Sequence, residues 1–416
     1  MWNLKLNDIA KINSLSLSKK DIISYVKYLD TSNLKSNIIE NFQYFEMFKE
    51  KLPSRAKRKV KQNTILYSTV RPNQKHFGIL KNLDFSSILV STGFCTIDVD
   101  NDIADPDFIY YYITQDFMIK KMQSIAEQST TSYPSITPND VKNIEINLPN
   151  IEIQRKIGKF LSDIESKIKT NCMINDNLEK QAKLLYDYWF TQFDFPDENG
   201  NPYKSSGGEM VWNKQLECSI PEKWEIDPLS AILNFKSGFS FCTDLYVKDG
   251  KYKLLTIKNI QDTGINFQVD NYINNVPHNV PDHCFLKVND ILMTLTGNIG
   301  RIGILYSSNC LLNQRVALVK NINEELRSFV YYLLKSDIMQ KKYQTMANGS
   351  SQKNLSPIEA ESVLFTYCKQ VATNFSSLID KSLKKIVSNL AENQKLISLR
   401  DYLLPLLLNG QSTIED

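Results

Sequence analysis

An internal repeat narrows what this chain can fold into more than any other feature. Asn63-Thr-Ile-Leu-Tyr-Ser68 returns as Asn289-Asp-Ile-Leu-Met-Thr294, an offset of 226 residues, and Asn33-Leu34 falls on Asn259-Ile260 at the same offset. Asn73 and Gly78 match Asn298 and Gly303 at 225. Phe108-Ile-Tyr-Tyr111 matches Phe329-Val-Tyr-Tyr332 at 221, followed by Asp116, Met118 and Gln123 with Asp337, Met339 and Gln344. Pro138 then pairs with Pro357 at 219, and Asp187-Tyr188 with Asp401-Tyr402 at 214. The order never breaks and the offset falls steadily, as in two diverged copies separated by small insertions and deletions.

Each copy has one plan. Short apolar runs such as Thr64 to Tyr67, Ile88 to Val90, Lys253 to Ile257 and Arg315 to Val319 alternate with Gly, Asn and Pro turns and predict strands. One amphipathic helix follows in each copy, over 107–125 and 327–346. Each copy then closes on a long helix with a heptad rhythm. In the first, Leu161, Ile168, Asn175, Ala182 and Trp189 recur every seven residues, with Ile164, Asn171, Leu178 and Leu185 between them. In the second, Leu383, Leu390, Ile397 and Leu404 recur, with Ile379, Ile386, Asn393 and Arg400 between them. Asn171, Asn175 and Asn393 fall on the seam, where a polar residue sets register at some cost in stability.

A chain of 416 residues exceeds one ordinary core. The predicted fold is α+β: two sheet-rich domains in pseudo-twofold tandem repeat, joined by two long helices that form an antiparallel coiled coil. The expected divisions are a first domain over 1–150, a helical spacer over 151–190, a Pro- and Gly-rich connector over 191–222, a second domain over 223–368, a second helical region over 369–408 and a tail over 409–416. At about 1.5 Å per residue the first helical region makes a rod of roughly 60 Å. One chain thereby carries two readers, as a dimer does on a two-part site, and half-sites about one helical turn apart are expected.

Composition excludes several classes. A net charge of +3, with 42% hydrophobic and 23% charged residues, describes a globular chain that is not uniformly basic but has room for local basic surfaces. The seven cysteines are dispersed without CxxC spacing and read as reduced thiols in a cytosolic protein. No apolar run approaches the roughly 20 residues that span a bilayer, so no membrane partner is expected. No GxxxxGK[ST] loop is present to cradle ATP phosphates. Gly297, Gly300 and Gly303 are spaced as a strand-to-strand turn or a close approach to a DNA backbone, not as a dinucleotide site. His278, His283 and Cys284 lack the helical spacing of a metal set. No catalytic, cofactor-binding or metal-binding residue is assigned, and no cofactor is expected.

The segment from Leu185 to Trp212 (LYDYWFTQFDFPDENGNPYKSSGGEMVW), Ile220-Pro-Glu-Lys-Trp224, Asn348-Gly-Ser-Ser-Gln-Lys-Asn-Leu-Ser356 and Leu399-Arg-Asp-Tyr-Leu-Leu-Pro405 resemble the specificity subunit of type I restriction-modification systems. The resemblance covers essentially the whole chain in order, although the chain reaches its first domain at Trp2 with almost no lead-in. It implies two target recognition domains reading a bipartite, asymmetric double-stranded DNA site with a fixed spacer. It also implies two modification subunits, which methylate adenine with S-adenosylmethionine, and two restriction subunits, which translocate and cut DNA with ATP. The chain itself is then not an enzyme. The alternatives are a self-sufficient DNA-modifying enzyme and an unpartnered variant that exchanges into, or blocks, a resident complex.

Base edges are read by Arg, Lys, Asn or Gln on exposed loops, and phosphates are held by cations, hydroxyls and amides. The matched loops nominate Thr69, Arg71, Asn73, Lys75 and His76, with 128–133 nearby, in the first copy. In the second they nominate Thr296, Asn298 and Arg301, then Asn313, Gln314 and Arg315, then Ser350, Ser351, Gln352 and Lys353. The basic run supplies Arg55, Lys57, Arg58 and Lys59 as phosphate contacts or as a solvated face. Tyr186, Tyr188, Trp189 and Phe190 read as packing or as contact with a modification subunit.

Overall fold

The computed structural model describes residues 2–18, 21, 23–47, 49–129, 133–347, 354–412 and 414. The chain forms two compact units, Met1–Ile168 with Lys395–Asp416, and Lys169–Gln394.

Unit 1 contains β1 (Trp2–Lys5), α1 (Leu6–Ile9), β2 (Ala10–Ile12), β3 (Tyr25–Leu29), β4 (Leu34–Lys35), β5 (Ile38–Ile39), β6 (Gln43–Glu46), β7 (Ala56–Lys59), β8 (Ile65–Ser68), β9 (Phe77–Ile79), β10 (Ile88–Ser91) and β11 (Phe94–Val99). Helices α2 (Pro106–Ile113), α3 (Asp116–Glu127) and α4 (Pro138–Lys142), strand β12 (Glu145–Leu148) and the long α5 (Ile151–Tyr186), of which unit 1 holds the part up to Ile168, follow. Two four-stranded sheets run β2-β11-β8-β9 and β6-β3-β10-β7, and β1 pairs with β12.

Unit 2 takes in the second half of α5 and then the hairpin β13 (Met210–Asn213) and β14 (Cys218–Pro221), after which the same plan repeats. Its strands are β15 (Glu225–Pro228), β16 (Leu233–Ser237), β17 (Tyr252–Leu255), β18 (Ile260–Gln261), β19 (Gly264–Ile265), β20 (Tyr272–Ile273), β21 (Phe285–Leu286), β22 (Ile291–Thr294), β23 (Ile302–Ile304), β24 (Cys310–Leu312) and β25 (Val316–Asn321). Helices α6 (Arg327–Lys335), α7 (Asp337–Met346) and α8 (Pro357–Glu361), strand β26 (Leu364–Tyr367) and the part of α9 (Lys369–Leu408) up to Gln394 complete it. The sheets run β16-β25-β22-β23 and β20-β17-β24-β21, with β15 on β26, so each strand takes its counterpart's place. Even the parallel pairing of β3 with β10 recurs as β17 with β24.

Local chemistry explains the shared punctuation. Thr137-Pro138-Asn-Asp140 and Ser356-Pro357-Ile-Glu359 are both capping boxes with proline at the first helical position, so α4 and α8 start at matched sites. The single helix expected over 107–125 is two, broken where Gln115 turns extended (ψ 148°). That expected over 327–346 breaks at Ser336, whose side chain caps α7 by accepting from the Met339 amide. The regular part of the first rod ends at Tyr186, and a wider π turn carries Asp187–Thr191. Phe193 in the left-handed region (φ 63°) then stops it. The Asp194 amide reaches back to Tyr188 O (2.9 Å), and its carboxylate accepts from the Ser205 amide and hydroxyl, both at 2.7 Å.

The fold is α+β, and α5 and α9 pack antiparallel. Within unit 2, Asn171 Nδ2 donates to Asn393 Oδ1 (2.9 Å) and Asn389 Nδ2 to Asn175 Oδ1 (2.8 Å), so the partner number falls as the chain advances. Within unit 1, Leu161 and Leu407 share one core with Ile65, Phe108 and Ile146. The expected seam of α9 needs one correction. Asn389 is fully buried, while Ile397 is 39% exposed and Leu390 only half-buried. In this stretch the more buried positions are Asn389 and the half-buried Leu396, not the expected Leu390 and Ile397.

Candidate nucleic-acid interface

In unit 1 the nominated residues gather where β8 and β10 end. Between β8 and β9 a tight turn, Pro72–Gln74, is flanked by Arg71 (φ 47°) and Lys75 (φ 58°), both left-handed. That conformation is costly for long side chains, and such strain collects at functional sites. The Arg71 guanidinium lies 4.9 Å from the Tyr133 ring centroid, and its amide donates to Pro134 O (2.9 Å). Ile136 N donates to Thr69 O (2.8 Å), the Thr69 amide to Gly93 O (2.9 Å) and the Thr92 amide to Arg55 O (2.9 Å). One strip therefore joins Arg55, the turn before β11, the β8–β9 loop and 133–136.

Several nominated side chains are turned to other work. The Thr69 hydroxyl donates to Gly93 O (2.9 Å). His76 is held through Nδ1 at Leu34 O (2.7 Å) and Nε2 at Gln74 Oε1 (3.2 Å). Lys59 pairs with Asp21 at 2.7 Å, and that hydrogen bond holds the Asp21 carboxyl down at about 2. Arg58 is half-buried, its Nε has no hydrogen-bond partner among the described residues, and burial lowers its pKa. Arg55, Lys57, Asn73 and Lys75 remain exposed, Lys75 within 2.9 Å of Asp116.

Unit 2 builds the equivalent strip differently. The loop from Leu295 to Arg301 turns on Gly297 (φ 75°) and Gly300 (φ 83°). Gln340 Nε2 donates to Gly300 O (2.8 Å) and Gln344 Nε2 to Ile299 O (2.9 Å). Arg301 makes a two-bond fork on Asp262, both at 2.9 Å. Asp262, Asn298, Arg301, Lys335, Gln340 and Gln344 line a cavity of about 530 Å³. The neighbouring loop carries Arg315, exposed and left-handed (φ 75°), whose carbonyl accepts from Leu295 N (3.2 Å). Gln314 is exposed and Asn313 half-buried beside it. Thr296 is buried, its hydroxyl donating to Asn354 Oδ1 (2.7 Å), so the expected contact there is corrected to a structural one. Ser350, Ser351, Gln352 and Lys353 lie outside the described residues.

Tyr186, Trp189 and Phe190 are corrected as partner contacts. They sit in the unit 2 core, with the Phe190 ring centroid 4.7 Å from Phe329 and 5.4 Å from Phe375. Rings so enclosed have no surface left for a partner, and among the four only Tyr188 is exposed. Gly238 and Asp262 escaped the sequence reading. A Cβ on Gly238 would stand 2.2 Å from Asn313 O, so only glycine lets this backbone pass the loop that carries Arg315. Asp262 sits in the turn from Gln261 to Gly264, whose composition marks a turn but not its charge partner. Among the described residues no group of three His, Cys, Asp or Glu is placed to hold a metal, and no helix is long and apolar enough to cross a membrane.

The profile of the type I restriction modification DNA specificity domain matches residues 2–180 and 221–359. The chain belongs to that family. The HindI specificity subunit of Haemophilus influenzae is 25% identical over 93% of this chain and 94% of its own. The MjaIX specificity subunit of Methanocaldococcus jannaschii is 25% identical over 79% of this chain and 74% of its own. Among solved structures, the type I restriction-modification S subunit from M. genitalium shares the fold, with a TM-score of 0.61 at 18% identity, covering 98% of this chain and 95% of that one. This specificity-family chain thus carries the family's paired sheet-rich units and packed long helices.

Proposed function

We propose that this chain is the DNA-reading component of a type I restriction-modification complex in the cytoplasm. Each unit reads one half of a bipartite, asymmetric double-stranded DNA site with a fixed spacer. Methylation of adenine and cleavage belong to other chains, two modification and two restriction subunits. The observation that carries this reading is that adjacent loops at the same sheet end hold an arginine on left-handed backbone in both units, the half-buried Arg71 in one and the exposed Arg315 in the other. The scaffold is shared and the residues presented differ, as two readers of unlike half-sites require. Arg55, Lys57, Arg71, Asn73 and Lys75 contact the first half-site. Asn298, Gln314 and Arg315 contact the second, as do Ser350, Ser351, Gln352 and Lys353. Tyr188 remains as a contact for a modification subunit.

The test is to map methylated adenines in cells that express this chain with its modification partner. One two-part motif is expected, and exchanging residues 1–150 for those of another family member should change one half of it. A continuous motif, or a change in both halves, would remove the proposal.

A further inference from the structure

The turn between β4 and β5 touches both the first reader loop and the long helix α5. Ser36 and Asn37 are both left-handed there (φ 45° and 66°). Ser36 N donates to Lys75 O and Asn37 N to Phe77 O, each at 2.9 Å, while Asn37 Oδ1 accepts from Ile79 N at 2.9 Å. The turn therefore grips the reader loop on its β9 side. On its other side Asn37 Nδ2 donates to Glu165 Oε2 on α5 (3.1 Å). Glu165 also accepts from the Tyr111 hydroxyl and faces Arg400 of α9 at 3.7 Å. Asparagine suits this junction because it tolerates the left-handed region and carries a donor and an acceptor on one short side chain. A Cβ on Gly78 would meet Asn37 Oδ1 at 3.0 Å, so glycine there permits the close approach.

Unit 2 lacks this relay among its described residues. Its corresponding turn spends Asp262 on Arg301, while Glu179 of α5 bonds Lys335 and the Tyr332 hydroxyl (3.0 Å). The cavity is lined from both sets, by Asp262 and Arg301 and by Lys335.

We infer that Asn37 and Glu165 are positioning residues for the first half-site: they tie the reader loop to the helical rod, so that base choice in that half depends on a bond made away from the DNA. This rests on the reading of the loop as a DNA contact. Neither side chain touches the bases; each acts through the backbone of Lys75, Phe77 and Ile79.

The experiment maps methylated adenines in cells carrying the full complex with Asn37→Asp, Glu165→Ala or Glu165→Gln. Asn37→Asp keeps the reader-side bonds and places a carboxylate against Glu165, so it breaks only the link to the rod. Off-motif methylation in the first half-site should rise about tenfold with Asn37→Asp and Glu165→Ala, the loss of roughly one weak base contact. Glu165→Gln should restore the wild-type pattern, because its amide oxygen still accepts from Asn37. The second half-site should be unchanged throughout. An unaltered first half-site in Asn37→Asp, or equal relaxation of both halves, would overturn the inference. A wild-type complex with no two-part motif would instead remove the reader assignment on which it stands.

Discussion

The two units share a topology and differ in how each reader loop is held. In unit 1 the loop is stiffened by Pro72 between two left-handed cations and is bonded through Asn37 to α5. In unit 2 the loop turns on glycines, its carbonyls are clamped by Gln340 and Gln344, and Arg301 is held by Asp262 at the edge of a cavity. Restricting the backbone limits the unfolded chain as much as it shapes the folded one, whereas side-chain clamps leave a glycine loop dependent on its neighbours. One scaffold thus supports two solutions.

The comparison can be broken most forcefully at the cores. Phe375 is fully buried among the rings of Tyr186, Trp189, Phe190 and Tyr332. Phe375→Ala should cost about 3–5 kcal/mol. Hydrogen exchange should show amide protection falling within 169–394 and holding over 1–150; a uniform loss would show that the units do not keep separate cores. Next come the paired arginines. Arg71→Ala and Arg315→Ala should each cost about 1–3 kcal/mol of discrimination, each in its own half of the motif. Relaxation of the same half by both variants would end the one-reader-per-unit scheme.

A smaller effect concerns the carboxylates beside the loops. Asp262→Asn and Asp116→Asn each release a reader cation, Arg301 or Lys75. If the freed cation gains a phosphate, the salt dependence of duplex binding should steepen by about 0.9 in log–log slope. An unchanged slope in both would place those cations away from the backbone.

The smallest effect is a pH dependence. Burial raises the Glu165 pKa, opposed by Asn37 and Arg400. Folded Glu165 therefore keeps its proton to higher pH than the unfolded chain does. Its contribution is most favourable below the ordinary glutamate range and is lost as pH climbs through the raised value. The Tm difference between Glu165→Gln and wild type should move in the variant's favour over that window. Movement in the opposite direction would show that the Arg400 pair dominates.

Much of the scaffold was readable because its rules are local. Thr137-Pro138 and Ser356-Pro357 mark helix starts, heptads mark the rods, and the asparagines at 171, 175 and 393 announce a polar seam. The candidate interface was readable only as a set of loops. Nothing local distinguishes Arg315, which is exposed, from Arg58, which is half-buried, or Thr69, bonded to Gly93, from a threonine free to meet a phosphate. His76 illustrates the point, since its partner Leu34 lies 42 residues away.

The amino-acid sequence by itself determined that two copies of one plan follow each other, each closing on a long helix, because periodicity and capping act over a few residues. Only the tertiary structure decided which polar side chains are spent on the protein and which stay available, and that the first reader loop is bonded to its rod while the second borders a cavity. Those outcomes depend on partners brought together across long stretches of chain, where burial and hydrogen bonding, not local preference, set the orientation of each group.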